Sequence, residues 1–380
     1  MRIVHALLAT AIGGLISSAP ALGQATAESD ARLGKISNQY ICTLDSSTPR
    51  GNVRAEAARA AAPVLGEILF TYEHTIKGFA VRAAAQPGKN AVAEMRRANP
   101  RIQSCEQDQV MKAFVVQKGG VSASADQTPW GITRVRGPGG TSSNTAWVID
   151  SGIDLDHPDL NVDATRSVSY VGGGPEDKNG HGTHVAGTIA AKANGIGVVG
   201  VSPGTTVVAV RVLGASGSGS TSGVIKGVDY VGANGASGDV ANMSLGGGAS
   251  TALDDAVIAA SAKGVAFTLA AGNESVDANT RSPARAGGRS NSDEVYTVSA
   301  FGQPNDKFAS FSNHGNPPIE WSEPGISILS TYKGDRYATM SGTSMAAPHL
   351  AGILVQGNVT KCGDVTSDRD GNADDIGCRQ

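Results

Sequence analysis

Three short segments of the chain each hold a side chain suited to nucleophilic catalysis. Asp150 closes an apolar run, His181 lies in a glycine-rich stretch, and Ser344 lies in a second one. A serine hydroxyl is a weak nucleophile unless a base takes its proton, and an imidazole, with an ordinary pKa of ~6.5, can do so at neutral pH. An aspartate that accepts a hydrogen bond from the imidazole would fix its tautomer. These residues predict an acyl-transfer site, with Ser344 as nucleophile, His181 as general base and Asp150 orienting it.

The sequences around these residues are more specific than the residue types. They read AWVIDSG at 146–152, NGHGTHVAGT at 179–188 and MSGTSMAAP at 340–348. In content and in the order Asp, His, Ser they resemble the catalytic segments of the subtilisin-like serine proteases, the subtilase family. The resemblance covers about 39–114 and 127–357. It implies a secreted endopeptidase that acts on polypeptides and needs no cofactor for catalysis.

The same residues allow other interpretations. Ser344 alone would be an ordinary helix N-cap. His184 follows His181 by three residues, and with Asp150 the pair could bind zinc in a hydrolase, although the chain has no His-Glu-x-x-His motif. A catalytically silent relative that binds peptides is a further alternative. A fluorophosphonate would label only a serine enzyme at Ser344, and a chelator would abolish activity only in a zinc enzyme.

The resemblance also assigns residues around the triad. Asn273, in AAGNE at 270–274, matches the side-chain amide that stabilises the oxyanion together with the backbone N–H of Ser344. Two glycine-containing segments match the edges that bind an extended substrate by main-chain pairing. Those edges are Gly217, Ser218 and Gly219 on one side and Ser244, Leu245 and Gly246 on the other.

Calcium is a further expectation of the resemblance, as a structural ion. Asp159 matches a family ligand, and the loop at 194–198 offers the side chain of Asn194 and the carbonyls of Ile196 and Val198. Family members without the ion keep similar loops, so both outcomes stay open. The acidic run 368–375 also looks like a calcium loop, but it lacks the full EF-hand pattern, and a solvated acidic tail is the favoured interpretation.

The N-terminus is typical of a secretory signal peptide. Arg2 precedes an apolar stretch at 6–16, and small residues at 21–23 give a cleavage site before Gln24. We therefore expect a signal peptide at 1–23, a spacer at 24–38 and secretion to the extracellular space. A formal charge of -3 gives no reason to expect nucleic acid or a membrane as partner, and a monomer is expected.

Residues 39–114 form a module of their own. Strands at 40–44, 68–74, 78–82 and 102–110 alternate with helices at 52–65 and 89–98 in the order βαββαβ, which is that of a ferredoxin-like sandwich. The first and last strands are neighbours in such a sheet. Of the three possible disulfide pairings, Cys42–Cys105 with Cys362–Cys378 is therefore the simplest. The module also resembles the inhibitor propeptide of subtilases, so the chain's own propeptide is an expected partner.

The elements that must position the site follow the module. We expect an exposed processing linker at 115–126, cut autocatalytically between Gly120 and Asp126, and a tail at 358–380 that the second disulfide closes. Between them, at 127–357, fully apolar runs alternate with helices that start near 181, 221, 252 and 343. This alternation predicts a three-layer α/β fold around a mostly parallel, buried sheet. Pro348 is expected in the first turn of the last helix, Arg281–Glu294 is an extension beside the specificity pocket, and Glu323 replaces the family's alanine.

Overall fold

The N-terminal module is an antiparallel sheet with helices packed on one face. The computed structural model describes residues 34–84, 89–115, 117–121, 125–289 and 294–380, so the expected signal peptide lies outside the described residues. The module's strand order is β4-β1-β3-β2, as predicted, although its first strand begins inside the expected spacer. In chain order it consists of β1 (Lys35–Leu44), α1 (Val53–Ala61), β2 (Glu67–Tyr72), β3 (Gly78–Arg82), α2 (Lys89–Ala98) and β4 (Ile102–Ala113).

Both predicted disulfides are present. Cys42 lies directly opposite Cys105 in the β1–β4 register, and their sulfurs are 1.98 Å apart. Cys362 is bonded to Cys378 across 16 residues of sequence. The first pairing follows from the module's topology, because the first and last strands of a ferredoxin-like sheet are neighbours.

The rest of the chain alternates strands with helices. In chain order the elements are β5 (Gln117–Val121), α3 (Trp130–Arg134), β6 (Ala146–Asp150), β7 (Val168–Ser169), α4 (His181–Ala190), β8 (Val207–Arg211), β9 (Ser218–Ser220), α5 (Thr221–Asn234), β10 (Val240–Met243), β11 (Leu245–Gly248), α6 (Thr251–Ser261), β12 (Ala266–Ala270), β13 (Arg281–Ser282), α7 (Ala286–Arg289), β14 (Val295–Gly302), β15 (Lys307–Phe308), β16 (Ile319–Pro324), β17 (Ile328–Tyr332), β18 (Arg336–Ser341), α8 (Thr343–Leu354), β19 (Val359–Asp364) and β20 (Asp375–Arg379).

A mostly parallel sheet lies at the centre of three layers. Its order is β19-β20-β16-β14-β12-β10-β6-β8-β7. Helices α4 and α8 pack together on one face, and α5 and α6 pack together on the other. The central strands are buried along their whole length, as in β6 and β8, because helices cover both faces. For the same reason, polar and apolar residues do not alternate along these strands.

The C-terminal residues belong to the central sheet, while most of the acidic run, at 369–373, is exposed. Strands β19 and β20 form an antiparallel hairpin, and β20 adds to β16 in parallel. Ile376 and Cys378 are buried. Asp374, from the acidic run, is also buried and accepts a hydrogen bond from Ser299. Burial raises the pKa of Asp374 to about 7.

The expected exposed linker is partly a strand. Backbone pairing joins β5 to β18 in antiparallel register, from Gln117 opposite Ser341 to Val121 opposite Tyr337. β18 also pairs with β17, so the three strands form a separate small sheet. The segment has no apolar alternation in its sequence, and backbone pairing with β18 places it in the sheet.

Candidate active site

Asp150 and His181 form the buried acid–base pair that the sequence predicts. Asp150 ends β6 at the carboxyl edge of the sheet, and His181 is the first residue of α4. Their Oδ1 and Nδ1 atoms are 2.7 Å apart. The backbone N–H of Ser151 also donates to this Oδ1, at 2.6 Å. The bond to Nδ1 leaves Nε2 as the basic nitrogen, and Nε2 has no hydrogen-bond partner among the described residues.

Ser344 is the second residue of α8, and its hydroxyl is engaged in two hydrogen bonds. It donates to the carbonyl of Ser244 at 2.9 Å and accepts from the backbone N–H of Phe114 at 3.0 Å. Neither of these bonds is to His181. Catalytic hydrogen bonds are often long or poorly aligned in structures without substrate.

Pro348 lies inside α8, beyond the first turn, so its expected position is wrong. A residue at 348 would normally donate to the carbonyl of Ser344, four residues earlier, and proline has no N–H to donate. The carbonyl of Ser344 is instead free to accept from the hydroxyl of Ser244, at 2.8 Å. Pro348 thereby links the start of the helix to the neighbouring substrate edge.

Asn273 follows β12, and its side-chain amide is held with the nitrogen free. Its Oδ1 accepts from the backbone N–H and from the hydroxyl of Thr343, both at 2.9 Å. Nδ2 is buried and has no partner among the described residues. The carbonyl oxygen of Phe114 and this Nδ2 both contact the side of Gly342 where a Cβ would stand. A side chain at 342 would collide with that carbonyl, which explains the glycine.

Strand β4 of the module runs through the cleft between the two predicted edges. On one side Met111 lies opposite Gly219 and Lys112 opposite Ser218. On the other, Ala113 lies opposite Leu245 and Lys112 opposite Gly246. The carbonyl of Gly217 accepts from the backbone N–H of Ala113 at 3.0 Å. Five of the six predicted edge residues thus pair with this strand, whereas Ser244 bonds Ser344.

Phe114 follows this strand and lies at Ser344, and no motif in the sequence marks it. Its ring contacts Gly246 and joins a buried cluster that includes Ala270. Met111, three residues earlier, is completely buried and lies against Gly247. The backbone N–H of Phe114 donates to the hydroxyl of Ser344 and its carbonyl lies beside Gly342, so the next peptide bond along the chain near Ser344 is Phe114–Val115. Gly120 and Val121, where the expected cleavage region begins, are paired to β18.

His184 is turned away from the acid–base pair. Its Nε2 lies 3.1 Å from the carbonyl of Ile328 and 3.0 Å from that of Ala338. Complete burial lowers its pKa to about 3, so the ring is neutral and donates to these carbonyls. Across the described ranges, no three His, Cys, Asp or Glu side chains are grouped so as to hold a metal. His184 therefore links α4 to the β17–β18 hairpin through these hydrogen bonds.

Of the predicted calcium ligands, Asp159 lies against the loop at 194–198. Its carboxyl is fully buried, and Oδ2 accepts from the backbone N–H of Val198 at 3.1 Å. Oδ1 makes no hydrogen bond of normal geometry within the described chain, and burial raises the pKa of Asp159. Asn194 turns its Oδ1 to the N–H of Ile196. The Asp159 carboxyl also interacts with the hydroxyl of Tyr337. A carboxylate is the kind of hard oxygen ligand that Ca²⁺ takes, and calcium at this loop stays a prediction.

Comparison with known proteins gives one consistent result. A model of the subtilase family matches residues 143–357, a span that includes Asp150, His181, Asn273 and Ser344. Alkaline serine exoprotease A of Vibrio alginolyticus is 41% identical over 299 residues, covering 74% of this chain and 52% of its own. Subtilisin Savinase of Lederbergia lenta is 45% identical over 237 residues, covering 60% and 83%.

A solved structure is similar over much of the chain. It is a cold adapted subtilisin-like serine proteinase, 36% identical, with a TM-score of 0.56, and the match covers 65% of this chain and 96% of that one. The chain spans only about half of the Vibrio protein and 62% of the M-protease of Shouchella clausii, to which it is 43% identical.

Proposed function

This chain belongs to the subtilase family, and from that premise we propose that it is a serine endopeptidase. We propose further that it is secreted, and that the module ending at Phe114 is its inhibitory propeptide. The observation that carries the proposal is the position of Phe114. Its backbone N–H donates to the hydroxyl of Ser344, its carbonyl lies at Gly342 near Nδ2 of Asn273, and the strand before it pairs with both predicted substrate edges. No helix in the described part of the chain is long and apolar enough to cross a membrane.

The proposed reaction begins with the hydroxyl of Ser344. It leaves its bond with the carbonyl of Ser244, its proton passes to Nε2 of His181, and Oγ forms a bond to the carbonyl carbon. Asp150 stabilises the imidazolium through Nδ1. The negative charge on the carbonyl oxygen is met by Nδ2 of Asn273 and by the N-terminus of α8. His181 then returns the proton to the leaving amine, and water releases the acyl group by the same steps in reverse.

The strand in the cleft indicates the preferred substrates. A ring at Phe114 and a long apolar side chain at Met111 are buried against glycines of the same edge. Burying a large apolar side chain contributes roughly 1.5–3 kcal/mol. We therefore propose that the enzyme prefers extended polypeptides with a large apolar residue just before the cut bond and another three residues earlier.

We propose that the first maturation cut falls at Phe114–Val115. This replaces the position between Gly120 and Asp126, because Phe114 is the residue bonded to the Ser344 hydroxyl, whereas Gly120 and Val121 are paired to β18. Residues 115–126 would then remain at the N-terminus of the catalytic part after the first cut.

The test compares the wild type with Ser344→Ala, expressed in a host that lacks other proteases able to cut it. The wild type should yield a catalytic fragment that begins at Val115, detected by intact mass and N-terminal sequencing. Ser344→Ala should stay uncut at this bond. Ser341→Ala, a nearby serine that only caps the N–H of Ser327, is the matched control and should be processed. Cutting of Ser344→Ala at the same bond and rate would mean that another protease matures the chain.

A second measurement separates the function from its alternatives. A fluorophosphonate should label the matured wild type on the peptide that contains Ser344, and a chelator should leave this labelling intact. A silent peptide-binding relative would not be labelled, and a zinc hydrolase would lose its activity in the chelator.

A further inference from the structure

We propose that Asn313 is a positioning residue for the oxyanion donor. It lies in the turn between β15 and β16, and its buried side chain holds the loop 271–276 in the shape that places Asn273. The inference rests on the proposed function and concerns a residue that contacts neither the nucleophile nor the cut bond.

The side chain of Asn313 bonds this loop from both of its polar ends. Nδ2 donates to the carbonyl of Ala271 at 2.8 Å and to the carboxylate of Glu274 at 3.0 Å. Oδ1 accepts from the backbone N–H groups of Glu274 and Val276, both at 3.1 Å. The amide therefore spans the loop, with bonds before and after Asn273. Asn313 is fully buried, so water cannot replace these bonds without opening the loop.

The backbone of the loop is shaped around this side chain. Gly272 has a φ of +107°, and a Cβ at this position would collide with Nδ2 of Asn313. The backbone N–H of Asn313 also donates to the carbonyl of Gly272, at 2.9 Å. The glycine of the AAGNE segment is thus required both by its backbone angle and by the close approach of Asn313.

Asn273 is consequently fixed at two points. Thr343 holds its Oδ1, and Asn313 holds the backbone on both sides of it. Together they leave Nδ2 as the free donor. An oxyanion donor lowers the barrier only if it is held in place before charge develops. Removal of Asn313 should therefore reduce transition-state stabilisation and leave the edges that bind substrate unchanged.

The experiment measures kcat and KM separately for Asn313→Ala, Asn273→Ala and the double variant. Each protein is matured by a trace of tagged wild type that is then removed, and active sites are counted by fluorophosphonate labelling. The substrate is a chromogenic peptide anilide with Phe before the cut bond and Met three residues earlier. Asn144→Ala is the control, because that asparagine bonds the backbone of Val355, away from the loop.

Asn313→Ala should lower kcat about 10- to 100-fold, with KM changed less than about threefold. In the Asn273→Ala background the same change should lower kcat less than about threefold, since the donor it positions is already gone. A loss that appears in KM, a full loss in the double variant, or an equal kcat loss in Asn144→Ala would overturn the proposal.

Asn313→Asp provides a second measurement if the alanine variant does not fold. The isosteric carboxylate still accepts from the backbone N–H groups of Glu274 and Val276. It has no N–H to donate to the carbonyl of Ala271, and it lies beside the Glu274 carboxylate. Its kcat should fall about 3- to 10-fold at unchanged KM, and a wild-type kcat would overturn the proposal. Failure of the proposed function is distinguishable, because the wild type itself would then not be labelled at Ser344.

Discussion

At the scale of single residues, Glu323 is unusual because its carboxyl is buried without a hydrogen-bond partner among the described residues. It lies on β16 against Gly377 of the C-terminal hairpin and is completely buried. Burial raises the pKa of Glu323 well above its usual range, and the charge of Arg134 opposes this only in part. The C-terminal hairpin covers this carboxyl through Gly377.

This burial predicts a pH-dependent stability. A carboxyl with a raised folded-state pKa stabilises the fold below its unfolded pKa and loses that contribution as pH rises through the folded value. In a Ser344→Ala background, Glu323→Gln should therefore match the parent near pH 4. Its Tm should exceed the parent's by a margin that grows to several degrees at pH 9. Differential scanning calorimetry from pH 4 to 9 measures this, with the exposed Glu320→Gln as control. A constant margin across pH would contradict it.

The residues proposed to react have a signal in the sequence, whereas the residues that support them have none. Glycines around His181, Ser344 and Asn273 remove side-chain bulk at fixed positions, and that requirement is visible in the sequence. Asn313 acts only through contacts made 37 to 42 residues away. Its own surroundings are those of any polar loop, and only the fold reveals its role.

At the scale of elements, buried strands and helices were predictable and edge elements were not. The predicted starts of the four helices agree with α4, α5, α6 and α8 to within one residue. Apolar runs and neighbouring glycines indicate these starts in the sequence. β5 and β19 have mixed or polar sequences. Backbone pairing with distant strands defines them, and sequence patterns do not report such pairing.

The loop beside Asp159 predicts a response to chelation. If the carboxyl of Asp159 binds Ca²⁺, the ion stabilises only the native state, and its removal lowers Tm. Exhaustive chelation of the Ser344→Ala protein should then lower Tm by several degrees, and Asp159→Asn should abolish the response. Asp156→Asn, at an exposed position nearby, should retain it. An identical melting curve with and without chelator would exclude the ion.

At the scale of the whole molecule, the module docks through carboxylates at helix N-termini. Asp108 accepts from the backbone N–H of Ser222 at the start of α5. Glu106 accepts from Ser250 and from the N–H of Ala252 at the start of α6. In return, Asp229 of α5 accepts from the N–H groups of His74 and Thr75. The carboxylates of Asp108 and Glu106 lie where helix dipoles favour negative charge. The sequence shows that the module precedes the catalytic part along the chain. It does not show these pairings, which depend on tertiary structure.

The strand that crosses the cleft also determines the kinetic order of the first cut. β4 approaches Ser344 from one side, and β5 leaves on the other, paired to β18. Nucleophile and target bond thus belong to one molecule and are already in contact, so the reaction needs no encounter between molecules. The half-time of Phe114–Val115 cleavage should not change over a hundredfold dilution, as followed by quenched-flow mass spectrometry. Ser344→Ala precursor mixed with matured wild type should be cut faster as concentration rises. A half-time for the wild-type precursor that lengthens on dilution would mean that molecules cut one another.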